Sequence, residues 1–282
     1  MSNIAYLGTG LLGSAFVEAA LKRGDQVTVW NRTAAKAKAL EQFGARAADT
    51  PADAVRGAAR VHLVLKDDAV VDDVIAASRA GLDQQSIIVD HTTTRPDLTA
   101  KRAARLQADG VRYLHCPVFI GPPAARASKG VIMAAGPKAI FDEVHPALSA
   151  MADRVEYFGE RTDLAAVYKL CGNAFIIGMN SLVSDVFAVA AGAEVKAAEA
   201  LKILDFFNPS SIIANRGQKM IAQDFTPTFE LTMARKDVRL MLETADGKPL
   251  SVLPGVAARM DRLIAEGHGA DDLAVLSKAV VR

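Results

Sequence analysis

Three groups of residues in this chain have the types and spacing that chemistry needs. The first is Gly8-Thr9-Gly10-Leu11-Leu12-Gly13, which follows a short apolar run, Ile4–Leu7, and opens a helical pattern. In a turn that grips a pyrophosphate, the first glycine permits the tight bend and the second lets the phosphate approach the backbone. The third allows close strand–helix packing. A helix starting near Leu11 aims its free N–H groups and positive dipole end at the phosphates. This spacing predicts a dinucleotide site with Gly8, Gly10, Leu11, Leu12 and Gly13 as contacts.

The second group, Trp30-Asn31-Arg32-Thr33, lies about twenty residues further on, where a carboxylate would bind the adenosine ribose and select NAD. Asn31 does not repel a 2′-phosphate, Arg32 pairs with one through its guanidinium, and Thr33 can donate a hydroxyl bond. The expectation is NADP, with NADPH preferred over NADH; the plainer alternative is a solvated Arg32 and a helix-capping Thr33. The third group is Lys169 and Asn173, four residues apart and so on one face of a helix. Hydride transfer between a carbinol and a nicotinamide needs a group that exchanges the hydroxyl proton and another that orients the oxygen. A desolvated lysine can do the first and an amide the second. A merely solvated helix face is the plainer reading of this spacing.

These groups need elements to hold them. Strands are expected at Ile4–Leu7, Val27–Trp30, Val61–Leu65, Ser86–Val89, Val111–Leu114 and Val131–Ala134. Helices are expected to 23, over 34–43, 52–56, 70–80 and 96–109. Such alternation predicts an α/β Rossmann-type, doubly wound and mostly parallel sheet. Beyond Phe158 the pattern is helical only: 163–191, 193–208, 210–222, 232–245 and 255–266. The expected organisation is a dinucleotide-binding domain over 1–160 and an all-α substrate and dimerisation domain over 161–282. Helices so apolar must bury their faces on something, which points to a partner subunit.

Composition narrows the classes. Lys plus Arg number 33 against 32 Asp plus Glu, a net charge of +1, which gives no electrostatic reason to expect nucleic acid. Cys116 and Cys171 have no metal-like spacing and fit a reducing cytoplasm. Met1 to Gly8 already reads as a strand, leaving no room for a signal peptide. No apolar run is expected to approach the roughly 20 residues that cross a bilayer. His62 and His91 read as packing residues, and Cys171 as a small buried thiol. Asp67, Asp68, Asp72 and Asp73 sit around a helix start, where carboxylates favour the dipole, so no metal is expected.

Taken together, four blocks resemble the β-hydroxyacid dehydrogenase family, which includes 3-hydroxyisobutyrate dehydrogenases and glyoxylate/succinic semialdehyde reductases. They are Gly8–Gly13, Asp90-His91-Thr92-Thr93-Thr94-Arg95-Pro96, Lys169–Asn173 and Lys236-Asp237-Val238-Arg239-Leu240, and the similarity extends to Gly269–Ala274. The resemblance implies that Thr93 faces the cofactor, that Lys236 lies beside the nicotinamide and that Lys169 exchanges the proton. It implies that Asn173 helps place the substrate, which would sit between the two domains. It also implies a homodimer or homotetramer assembled on the long helix.

The departures are specific. The family's D-A-P-V-S-G-G loop appears as His115-Cys116-Pro117-Val118-Phe119-Ile120-Gly121. Phe119, Ile120 and Gly121 therefore predict a more apolar substrate pocket, while Ser128 and Lys129 offer another anion contact only if they turn inward. The family's Leu-Pro after the third strand appears as Leu65-Lys66, leaving backbone contacts to the cofactor there. The expected function is an NADP(H)-dependent oxidoreductase acting on a small carbonyl or hydroxy compound of the β-hydroxyacid or semialdehyde type. Alternatives are an imine reductase-like enzyme and a non-catalytic NADPH-binding module.

Overall fold

A computed structural model describes residues 2–281. The chain divides into two compact units, Met1–Asn173 and Ala174–Arg282. The first begins with β1 (Asn3–Leu7), α1 (Leu11–Lys22), β2 (Gln26–Trp30), α2 (Ala34–Lys38), β3 (Arg46–Ala47) and α3 (Pro51–Val55). It continues with β4 (Arg60–Leu63), α4 (Asp68–Ser78), β5 (Ile87–Asp90), α5 (Pro96–Ala108) and β6 (Arg112–His115). These six strands form a parallel sheet in the order β3-β2-β1-β4-β5-β6.

Strands covered on both faces read as continuous apolar runs. β1 does so because its alternate residues serve two cores. Ile4 and Tyr6 pack with Phe16, Val29, Val89 and Leu114. Ala5 and Leu7 pack with Leu63, Val71, Ile75 and Ile88. The strand order reverses direction between β1 and β4. Open α/β sheets bind ligands at that switch point, outside the carboxyl ends of the strands.

A second, three-stranded sheet follows: β7 (Val118–Phe119), then α6 (Pro122–Arg126), β8 (Val131–Ala134), α7 (Lys138–Ser149) and β9 (Arg154–Tyr157), in the order β7-β8-β9. Helix α8 (Leu164–Gly192) crosses the boundary between the units. It is followed by α9 (Ala197–Ala200), α10 (Pro209–Ile221), α11 (Leu231–Thr244) and α12 (Leu253–Leu263). The second unit closes on Leu231, Val238, Leu253, Met260 and Leu263.

Three expectations need correction. The helix expected over 34–43 splits into α2 and a 3-10 turn, Glu41–Phe43. The one expected over 193–208 shortens to α9 and a 3-10 segment, Leu201–Asp205, because Glu194 adopts a left-handed φ of 60°. The third concerns bilayer-length segments: α8 has 29 residues and holds an 18-residue stretch of mean hydropathy 1.7, long and apolar enough to cross a membrane. Asn173, Asn180 and Ser184 interrupt its apolar run without adding charge, so the run looks shorter than it is. One carboxylate sits in it, Asp185, whose oxygens accept the N–H groups of Ser251, Val252 and Leu253 at 2.7, 2.8 and 2.9 Å. Those bonds hold the carboxyl below the usual range against the opposing effect of burial.

Candidate functional site

The glycine turn has the geometry its spacing predicts. Gly8 has φ +101°, and a Cβ there would lie 2.2 Å from the Val64 carbonyl oxygen. A Cβ on Gly13 would lie 2.1 Å from the Gly8 oxygen, so strand and helix approach as only glycine allows. Nothing lies within 4 Å of the Cβ position of Gly10. That is the open side where a ligand can meet the backbone at the start of α1, and Leu11 beside it is 84% exposed.

Asn31 has a role its residue type alone did not reveal. Its Oδ1 accepts the Thr9 N–H at 3.0 Å and its Nδ2 donates to the Thr33 carbonyl at 3.1 Å. One amide thus ties the β1–α1 turn to the loop after β2. Beside it runs a groove of about 590 Å³ lined by Gly8, Gly10, Asn31, Arg32, Thr33, Leu65 and Lys66. Lys36 also lines it and was missed in the sequence; the available signal was its place one turn beyond Thr33, at the start of α2. Thr33 occupies the helix-capping position, but its hydroxyl makes no capping bond. The groove thus gathers three cations, open backbone and a hydroxyl, a set that fits a phosphorylated dinucleotide.

The other wall is held by a network below the switch point. The Leu65 N–H donates to the Thr92 hydroxyl at 3.1 Å, and the Thr92 N–H donates to buried Asp90 at 2.9 Å. The Tyr113 hydroxyl donates to the other Asp90 oxygen at 2.8 Å. Thr94 meets Thr99 and His115. Thr93, between these anchored threonines, is half-buried.

In the core, His62 stacks on Tyr6 at a centroid distance of 4.6 Å and on His91 at 5.2 Å. His91 Nδ1 must donate to the Cys116 carbonyl at 2.7 Å. Its Nε2 therefore accepts from His62 Nδ1 at 2.9 Å, which fixes both neutral tautomers. Burial lowers His91 to about 4 and His62 well below its ordinary value. The aspartates at the start of α4 also have partners: Arg102, 1% exposed, takes Asp68 and Asp72 at 2.8 and 2.9 Å.

Lys169 and Asn173 lie on α8 within the first unit. The lysine Nζ donates to Asn173 Oδ1 at 3.0 Å and stands 4.2 Å from the centroid of the Phe119 ring. Burial pushes the Lys169 amine below the ordinary lysine value. Phe119 and Ile120 are half-buried, and Gly121 is exposed at the start of α6. Ser128 accepts from Arg23 at 3.3 Å and Lys129 is exposed, so neither joins Lys169. Lys236 belongs to the second unit, on α11, with its Nζ 2.9 Å from Asp237.

A glycine turn at the switch point of a six-stranded parallel sheet, followed by a helical unit, defines a nicotinamide-dinucleotide-dependent oxidoreductase. The chain matches the model of the NAD-binding domain of 6-phosphogluconate dehydrogenase over residues 3–159. It also matches that of the NAD-binding region of NADP-dependent 3-hydroxyisobutyrate dehydrogenase over residues 164–280. It belongs to the β-hydroxyacid dehydrogenase family. Glyoxylate/succinic semialdehyde reductase 1 of Arabidopsis thaliana is 28% identical, over 96% of this chain and 94% of that one. An imine reductase of Streptomyces aurantiacus superposes with a TM-score of 0.88 at 25% identity, covering 99% and 100%. The imine reductase of Myxococcus stipitatus in complex with NADP+ gives 0.88 at 20%, covering 99% of each chain.

Proposed function

We propose that the protein is an NADPH-dependent reductase of a small carbonyl compound, of β-hydroxyacid or semialdehyde type, with Lys169 as the proton donor. The observation that carries this reading is the Lys169–Asn173 pair: a half-buried amine, held at one atom, with a proton to give. Bound NADPH supplies the hydride to the carbonyl carbon. Gly10, Leu11, Leu12 and Gly13 receive its pyrophosphate; Arg32, Thr33 and Lys36 receive the 2′-phosphate. Leu65, Lys66 and Thr93 complete the cofactor contacts of the first unit. The Lys169 ammonium gives its proton to the oxygen as negative charge develops there, and the same amine accepts it in the reverse direction. Asn173 holds Nζ in place and orients the substrate oxygen.

Because the amine must be protonated to donate, reduction falls as pH rises through a midpoint below the ordinary lysine value. Lys169→Ala is expected to lower kcat by two or more orders of magnitude, the size of a lost general acid, about 10²–10⁴-fold. The Kd for NADPH should stay within about threefold. Turnover near the parent's would end this assignment.

A second reading, imine reduction, is favoured by the apolar Phe119 and Ile120 and by the name of the Streptomyces relative. NADPH consumption with a cyclic imine, measured beside glyoxylate and succinic semialdehyde, separates the two. We further propose that the exposed apolar face of α8 is covered by a second copy in a homodimer or homotetramer, and that the protein works in the cytoplasm.

A further inference from the structure

Phe119 joins a strand position to the Lys169 ammonium. It ends β7, where Val118 pairs with Ile132 and Phe119 with Val131 in antiparallel register. The Met133 N–H donates to the Pro117 carbonyl and the Ala135 N–H to that of His115. Antiparallel ladders repeat this class of pair every two residues, so the 119/131 pair belongs to it and the Phe119 N–H is committed to the sheet. The side chain has no hydroxyl, and it belongs to an apolar cluster with Met133, Ala135, Ala165, Val131, Phe158 and Leu164. The ring is also fixed. A Cβ on Gly172 would lie 2.1 Å from Phe119 Cζ, so the aromatic tip occupies the space left by that glycine. The ring face takes the Lys169 ammonium at 4.2 Å.

We propose, on the footing that Lys169 is the proton donor, that Phe119 determines specificity and turns this chain from the carboxylate-bearing members of the proposed substrate class toward uncharged aldehydes. It reserves the space beside the ammonium for an uncharged, apolar substituent of the carbonyl substrate and denies that space to a carboxylate. An aromatic face carries negative charge density, which attracts the ammonium and repels an anion. A carboxylate entering here sheds its water and finds neither a hydroxyl nor a free N–H on β7. Were it to pair with Lys169 instead, it would compete for the proton that the reacting oxygen needs. The ring has a positioning effect as well, since with Asn173 it gives the amine two fixed neighbours.

The test uses the full chain with NADPH and two aldehydes of equal size, succinic semialdehyde and its uncharged isostere 4-methylpentanal. The expected kcat/KM favours 4-methylpentanal by about tenfold or more, the scale of a pocket's discrimination. Phe119→Ser should shrink that ratio by about tenfold. Phe119→Leu, which keeps the pocket apolar but removes the ring, should keep the preference and move the alkaline limb of kcat/KM to lower pH. An unchanged Kd for NADPH reports an intact fold in each variant. Lys169-dependent turnover that favours succinic semialdehyde, or a Phe119→Ser ratio equal to the parent's, overturns the Phe119 assignment alone. Turnover that survives Lys169→Ala, or none with either aldehyde while NADPH binds, overturns the proton-donor reading and this one with it.

Discussion

At the scale of single residues, cofactor choice rests on a loop that carries charge without a carboxylate. Arg32 and Lys36 both line the groove beside Gly10, and a phosphate bonded by either gains a charge-assisted contact of about 1.5–3 kcal/mol. Arg32→Ala or Lys36→Ala is therefore expected to raise the Kd for NADPH by about 10- to 100-fold. NADH lacks that phosphate and should change by less than about threefold. Fluorescence titration with the two nucleotides checks this, and equal losses for both would move the 2′-phosphate elsewhere. Arg32 was legible from residue type and spacing. Lys36 was not, because one lysine among the alanines of α2 looks like any solvated helix residue until the groove is seen. The same limit hid the double bond of Asn31, since its partners lie 22 residues back and two residues ahead.

At the scale of elements, the sheet is tied together by a pair of neutral imidazoles. His62 on β4 and His91 just after β5 titrate near 6.5 when unfolded and well below that in the fold, where burial disfavours the charged form. Below pH 6.5 the unfolded chain thus binds more protons than the folded one. The stability they support is complete above pH 6.5 and is lost as pH falls toward about 4. His91 alone accounts for roughly 3 kcal/mol across that window. Urea unfolding at pH 7 and pH 4.5 should show the drop; equal unfolding free energies would mean the pair takes up protons within the fold.

Most of the framework around them could be read from apolar runs and glycines, because parallel strands buried on both faces announce themselves. What escaped was local. β7 is two residues long, and α7 contains Pro146, which reads as a helix breaker. β9 alternates Arg154, Val155, Glu156 and Tyr157, with too few apolar residues to stand out. The site's own local feature, the fit of Phe119 against Gly172, was invisible for a related reason. It joins residues 53 apart that share no pattern, although the unusual loop around Phe119 marked the place.

At the scale of the whole molecule, the outer surface of α8 is the unusual feature. Phe175, Met179, Leu182 and Val186, spaced four, three and four residues apart and so on one face, are 55, 45, 44 and 40% exposed. Single apolar residues at a surface are ordinary, whereas a contiguous patch of this kind marks an interaction face. A second copy covering it would give a particle of two or four chain masses in light scattering, and Met179→Asp should shift that mass toward one chain. A parent protein of one chain mass at micromolar concentration would remove the proposal of self-association. The sequence announced this face by composition but understated its length, because amides and hydroxyls interrupt the apolar run while leaving the helix intact.

The amide of Asn31 also constrains how the proposed preference for NADPH could be re-engineered. The obvious exchange toward NADH, Asn31→Asp, keeps the acceptor for the Thr9 N–H but replaces the donor that meets the Thr33 carbonyl. Two oxygens would then face each other at the hinge of the loop. A swap of coenzyme would therefore be expected to loosen the phosphate turn as well. An evolutionary route to NADH would need a change in the loop after β2 that turns the Thr33 carbonyl away before the carboxylate arrived, making the order of the mutations matter as much as their identity.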